Sequence, residues 1–162
     1  MSNNDNNTPS GTQQPAQSST EQNRYFNQYS NGIGYINGIR EFGEEGKATR
    51  YAAQISVLQG SVDDVHYEYH DLVISSETAL GVLMENRPAI EDENQKVLLR
   101  FHMTNPRAKG FVYKQGDRAG EIGTSIGGFL TRVMSLKVDG ELIYEDTRLF
   151  GEESDVSQAA NA

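Results

Sequence analysis

From Arg50 to Leu58, apolar and polar positions alternate. Tyr51, Ala53, Ile55 and Val57 fall on one face, and Arg50, Gln54 and Ser56 on the other. A period of two marks a half-buried β-strand. Residues 32–42 (GIGYINGIREF) form a glycine-rich strand before it, joined through a charged turn at 42–47. Residues 65–74 carry aromatic and branched side chains and predict a third strand after a loop at 59–64. There the period changes. Ser75-Ser76-Glu77 offers a hydroxyl cap and a first-turn acid, and Ala79, Leu80, Leu83 and Met84 follow at helical spacing. Pro88 predicts the stop. Strand patterns return at 96–103, 110–114 and 129–138, and Asp139-Gly140 signals a tight hairpin into Leu142-Ile143-Tyr144.

Three strands, one helix and then more strands suit a small, partly open barrel plugged at one end. The expected class is all-β with small α content. It is an OB-fold-like five-stranded barrel with one helix between strands 3 and 4, plus a C-terminal hairpin. A β-sandwich accommodates the strands but has no need of the single central helix.

Composition divides the 162 residues into three. In residues 1–22 the only apolar side chains besides proline are Met1 and Ala16. Such a segment cannot offset its backbone entropy by burial, so a disordered polar tail is expected there. The barrel is expected over 23–150, and a short acidic disordered tail over 151–162. The first segment lacks the basic start and apolar core of a secretory signal. No apolar run approaches the roughly 18 residues of a membrane span. Cysteine is absent, which removes disulfides, thiolate catalysis and Cys-based zinc sites. A cytoplasmic protein without membrane partners is the expectation.

The net charge of −9 opposes nucleic-acid binding, which relies on Lys and Arg to meet phosphate. Five of the 23 acids (Asp5, Glu21, Glu152, Glu153, Asp155) lie in the two end segments, leaving 18 acids against 14 basic residues, a net of −4. Within the body, residues 106–118 (PRAKGFVYKQGDR) reverse the sign. Arg107, Lys109, Lys114 and Arg118 stand against Asp117, a local charge of +3, with Phe111 and Tyr113 interleaved. Cations hold a phosphate backbone while aromatic faces stack bases, which is how single strands are commonly gripped. A solvated hairpin packing its aromatics on the barrel reads equally well from the same residues. On the third strand Tyr67 and Tyr69 share one face and Leu72 and Ile74 the other. If the aliphatic pair is core, the tyrosines face outward, either toward nucleic acid or toward another subunit.

Other constellations lead to no cofactor. Gly32, Gly34 and Gly38 are spaced GxGxxxG rather than GxGxxG, and no helix follows. His66 and His70 would share a strand face about 13 Å apart at roughly 3.3 Å per residue, too far for one metal ion. No carboxylate pair or nucleophile–base arrangement stands out, so a non-enzyme is expected.

The body resembles a family of small replication-associated proteins of bacterial integrating conjugative elements. The matching pieces are Gly32-Ile33-Gly34-Tyr35-Ile36-Asn37 with Ile39-Arg40-Glu41, Val65-His66-Tyr67-Glu68-Tyr69, Phe111-Val112-Tyr113, residues 116–123, and Lys137-Val138-Asp139-Gly140-Glu141 before Tyr144. That resemblance covers about residues 24–146 and implies a role in replicating or maintaining a mobile element. Residues 69–74 (YHDLVI) are also similar to the third strand of bacterial single-stranded-DNA-binding proteins, which implies Tyr69 as a base-stacking residue. Asp71 stands where those proteins carry a basic residue, and the chain ends Ala-Ala-Asn-Ala without their apolar tip.

Two functional expectations follow. In the first, the protein binds single-stranded DNA for an integrating conjugative element. Tyr35, Tyr67, Tyr69, Phe111 and Tyr113 stack bases, and Arg40, Arg50, Arg107, Lys109, Lys114 and Arg118 hold phosphates. In the second, it is an interaction module that assembles replication or conjugation proteins without touching DNA. Barrels of this kind commonly pair through strands, so a homodimer or homotetramer is expected.

Overall fold

The computed structural model describes residues 26–148. The two expected tails lie outside them. Six strands and two short helices follow in the order β1 (Tyr29–Phe42), β2 (Arg50–Ser61), β3 (Asp64–Ile74), α1 (Glu77–Glu85), α2 (Arg87–Glu91), β4 (Val97–Val112), β5 (Ile122–Val138) and β6 (Glu141–Glu145). The sheet runs β3-β2-β1-β4-β5-β6. It closes on itself where β3 pairs in parallel with β5, His70–Ile74 against Ile126–Leu130. Five strands thus form a closed barrel with the helices between the third and fourth, the arrangement of an OB-fold-like barrel. The sixth is the second arm of a C-terminal hairpin.

Closure depends on β1 serving two partners. Its first half, Tyr29–Tyr35, pairs with β4, and its second half, Gly34–Phe42, pairs with β2. The strand coils between them, and glycine permits it. A Cβ on Gly32 would meet the Phe101 ring at 2.5 Å, and one on Gly34 would meet the Ser56 carbonyl oxygen at 2.5 Å. Asn37 is skipped in the β1–β2 register, a β-bulge between Ile36 and Gly38. The bulge lets Ile36 and Ile39, three residues apart, both point inward.

The core joins Ile36, Ile55, Leu72, Leu99, Phe101, Leu130 and Leu136. Ala79, Val82 and Leu83 of α1 and Ile90 of α2 plug one end. The Ser76 hydroxyl caps α1 by accepting from the Ala79 amide at 3.3 Å. The helix ends at Glu85, and Pro88 does not terminate the helical path. It sits in the first turn of α2, where its missing N–H costs nothing.

The structure departs from the sequence pattern in β4. The expected strands at 96–103 and 110–114 are one strand, Val97–Val112. Pro106 lies at a register break between Thr104 and Arg107, where Asn105 adopts φ +53°. A bulge has no ladder bond for proline to lose. Asn105 is held there by its amide donating to the Gln28 carbonyl at 2.8 Å and its side chain accepting from the Gln28 amide at 3.1 Å. Beyond the bulge, β4 and β5 continue past the barrel as a two-stranded arm, so β5 starts at Ile122 rather than 129.

A buried ion pair fixes the other end of the sheet. Arg132 of β5 donates through Nε to Asp146 Oδ2 at 2.7 Å, and both side chains are nearly inaccessible. Arg148 adds a second guanidinium at 2.5 Å, and the Arg132 Nη2 donates to the Arg148 carbonyl at 2.7 Å. Arg148, and then Arg132, hold the Asp146 carboxyl well below the usual carboxylate range against the opposing effect of burial. A depressed folded pKa contributes stability that is present above the unfolded value, about 3.9, and is lost as the pH falls below it. Asp146→Asn leaves Arg132 buried beside a neutral partner, and urea unfolding at neutral pH should show a loss of about 3–5 kcal/mol. The gap between wild type and variant should narrow as the pH drops below about 4.

Candidate nucleic-acid interface

Pairing register brings tyrosines of two strands, β1 and β3, into one row across β2. Tyr35 of β1 is opposite Ser56 of β2, and Ser56 is opposite Tyr69 of β3. Two strand spacings put Tyr35 and Tyr69 about 10 Å apart, with only a serine between them. Tyr67 is opposite Leu58, one rung further along β3. Tyr67 and Tyr69 are 55% and 56% exposed, while His70 and Leu72, which alternate with them, are buried. The expected division of the third strand's faces therefore holds.

Two clefts flank this row. One, of about 550 Å³, lies between Tyr35, Tyr67 and Tyr69 and the 91–97 segment linking α2 to β4. The other, of about 490 Å³, lies between Tyr69 with Asn37 and Gln54 on one side and Phe111, Tyr113 and Ser125 of the arm on the other. Asn37 and Tyr69 line both, so the two clefts adjoin along the tyrosine row and make one groove region. Its origin is geometric. β3 pairs with β5 only from His70 onward, and residues 122–125 of β5 pair with β4 alone, so the β2–β3 hairpin and the arm splay apart.

Phe111 and Tyr113 meet edge to face with ring centres 4.9 Å apart. Both rings lie over Gly123, where an added Cβ would meet them at 2.5 and 2.8 Å. Arg118 lies over the Tyr113 ring with its guanidinium carbon 4.4 Å from the ring centre, donates to the Tyr113 hydroxyl at 3.0 Å and pairs with Glu121 at 2.8 Å. The Glu121 hydrogen bond, followed by the Tyr113 charge, raises the Arg118 pKa.

The expected cations fall into two sets. Arg107, Lys109 and Lys114 are exposed on the arm and have no acidic partner among the described residues. Lys109 lays its stem over Gly127, where a side chain would displace it. Arg40 and Arg50 are elsewhere, their guanidinium carbons 5.1 and 5.3 Å from the centre of the Phe42 ring. Arg40 is also committed to Asp71, its Nη2 2.7 Å from Oδ2. Those two, and Arg118 in its present contacts, are not part of the groove's free positive charge. Sequence reasoning missed Asn37, Gln54 and Lys96, whose Nζ lies 5.9 Å from the Tyr35 ring centre.

His66 and His70 remain far apart in role. His66 is exposed near Asp64 at 3.6 Å, whereas His70 is buried with Nε2 2.9 Å from Glu68. Among the described residues no three metal-ligating side chains converge. No helix among them is long and apolar enough to cross a membrane.

Residues 19–150 match the family described as "Protein of unknown function (DUF3577)". The chain belongs to this family. No curated protein matches the DUF3577 chain. Among solved structures it is similar to the mitochondrial single-stranded DNA binding protein Rim1 of S. cerevisiae, at 12% identity and a TM-score of 0.34, over 75% of this chain and 100% of that one. The barrel assignment rests on the strand pairing given above.

The arm's rings depend on the space over Gly123. Gly123→Val should displace Phe111 and Tyr113, seen as shifted Tyr113 ring resonances, while core amides at Leu99, Phe101 and Leu130 keep their hydrogen-exchange protection. Equal loss of protection in the core would show that the arm and barrel unfold as one unit.

Proposed function

We propose that this protein binds single-stranded DNA along the groove, without catalysing a reaction on it. One observation carries the reading: Tyr69, one of two exposed tyrosines of β3, faces a second aromatic pair, Phe111 and Tyr113, across a cleft, and the arm that bears this pair also carries, outside the cleft lining, three exposed cations with no acidic partner among the described residues. Tyr35, Tyr67 and Tyr69, with Phe111 and Tyr113, stack bases; Arg107, Lys109 and Lys114 hold phosphates. Aromatic stacking serves every base, and each stacked ring is worth about 1–3 kcal/mol. Arg118 joins the phosphate contacts only by leaving Glu121, and Arg40 only by leaving Asp71. Arg50 is a peripheral contact for a strand that runs on past Phe42. The resemblance to replication-associated proteins of integrating conjugative elements supports a role for this activity in replicating or transferring such an element.

A second reading is favoured by a different face. Val112 and Ile122 are opposite each other on the arm and 56% and 76% exposed. They suit an interaction module that docks replication or conjugation proteins. A gel shift with poly-dT at low salt separates the two. Retardation at micromolar protein supports the DNA reading, and its absence supports the module. Lys109→Ala combined with Lys114→Ala should weaken binding at every sequence. It should also reduce the slope of log affinity against log salt by about 1.4, at roughly 0.7 for each single-strand phosphate that the variant leaves unneutralised. Unchanged affinity would remove the arm from the site. Self-association through strand edges, with β6 as the open end of the sheet, gives the expected dimer or tetramer. Light scattering at the mass of one chain would overturn it.

A further inference from the structure

Stacking rings do not distinguish one base from another, but the polar groups between them do. Asn37 lies where the two clefts join, and it lies there because the β1 bulge turns it out of the strand ladder. Its Nδ2 donates to Ser56 Oγ at 2.8 Å, which occupies one amide proton and directs the amide by a fixed contact. The Oδ1 atom is left as an acceptor. Across the cleft stands a turn of three acids. Glu91 is held by Arg87 at 2.6 Å, and Asp92 accepts from the Asn94 amide at 2.9 Å. Glu93 lines the cleft with no hydrogen-bond or ion-pair partner among the described residues. Gln54 and Gln95 offer both donor and acceptor and so select nothing.

A free carboxylate on the wall of a phosphate-binding groove repels the backbone. It does so least if the backbone follows the arm and the base edges face the 91–93 turn. On an unpaired strand those edges are free to be read. Cytosine presents an N4 amino group, adenine an N6 amino group and guanine an N2 amino group, whereas thymine presents two carbonyl oxygens with a single N3–H between them. An acceptor such as Glu93 or Asn37 Oδ1 pairs with the exposed amino groups, whereas it reaches thymine's N3–H only between two carbonyl oxygens that repel it.

Building on the single-strand reading of this groove, we propose that it selects bases carrying an exocyclic amino group over thymine, with Asn37 and Glu93 as the specificity-determining residues. The test uses the full chain and three labelled oligonucleotides: all-dT, dT with a central run of deoxycytidine, and the same with N4,N4-dimethyldeoxycytidine. The dimethyl base keeps its stacking surface and loses both donors. The deoxycytidine oligonucleotide should bind about tenfold more tightly than all-dT, in the range of one good base-edge contact. The dimethyl version should return to the all-dT value. Asn37→Ala with Glu93→Ala should bring the dC-to-dT ratio to about one. The ratio is the readout, because removing the Glu93 charge alone tightens binding to any strand. Equal binding of all three by the wild type, or a dimethyl base that keeps the gain, overturns this inference and leaves single-strand binding intact. Failure to bind any of them overturns both.

Discussion

β1 must leave β2 for β4 within a few residues, and the molecule's shape follows from how it does so. Gly34 and Tyr35 are paired on both sides, to Val57 and Ser56 on β2 and to Leu99 and Leu98 on β4. On either side of that crossing the strand has one neighbour. So tight a coil brings backbone against backbone at Gly34 and ring against backbone at Gly32, with no space for a side chain at either position. The consequence reaches beyond the core. Because β1 departs, the outer part of the β2–β3 hairpin stands alone, and because β5 meets β3 only from Ile126, the β4–β5 arm stands alone as well. The groove is the gap between two hairpins that the closed barrel cannot hold together.

Electrostatics divides the basic residues by whether a carboxylate reaches them first. Arg40, Arg87, Arg118 and Arg132 each have one within 3.0 Å. The pairing at Arg132 is structural, since an unpaired guanidinium so deeply buried would cost several kcal/mol. The others are surface pairs worth about 1 kcal/mol or less, and they compete poorly with a phosphate. What distinguishes the arm is that Arg107 and Lys109 project from a two-stranded ribbon opposite Gly127 and Ser125 rather than acids.

Much of the barrel was legible because its strands are half-buried and alternate. The faces of β2 and β3 and the helix between β3 and β4 followed from period alone. The 139–140 hairpin is confirmed by φ +48° at Asp139 and +85° at Gly140. Two features did not follow the simple pattern. The arm has solvent on both sides, so residues 104–109 and 120–128 carry no apolar alternation and gave no strand signal. The bulge at Asn37 did leave a trace: Ile36 and Ile39 are both apolar at a spacing of three, which a regular strand cannot bury on one side. The aromatic and cationic residues on the arm were visible as a charge reversal, but their separation from Arg40 and Arg50 was not. Pairings such as Arg40 with Asp71 join residues 31 apart in sequence.

The same separation bears on the net charge. At physiological ionic strength an exposed charge acts over about 8 Å. The 91–93 acids line one cleft, whereas the arm lines the other with Phe111, Tyr113 and Ser125 and carries its cations outside both linings. A polyanion lying along the arm is screened from the acids by salt and attracted by cations at contact distance. A base edge reaching across the tyrosines meets carboxylates. An acidic protein can therefore offer a basic track and an acidic rim within one groove, and what approaches is sorted by which of its own edges carries the charge.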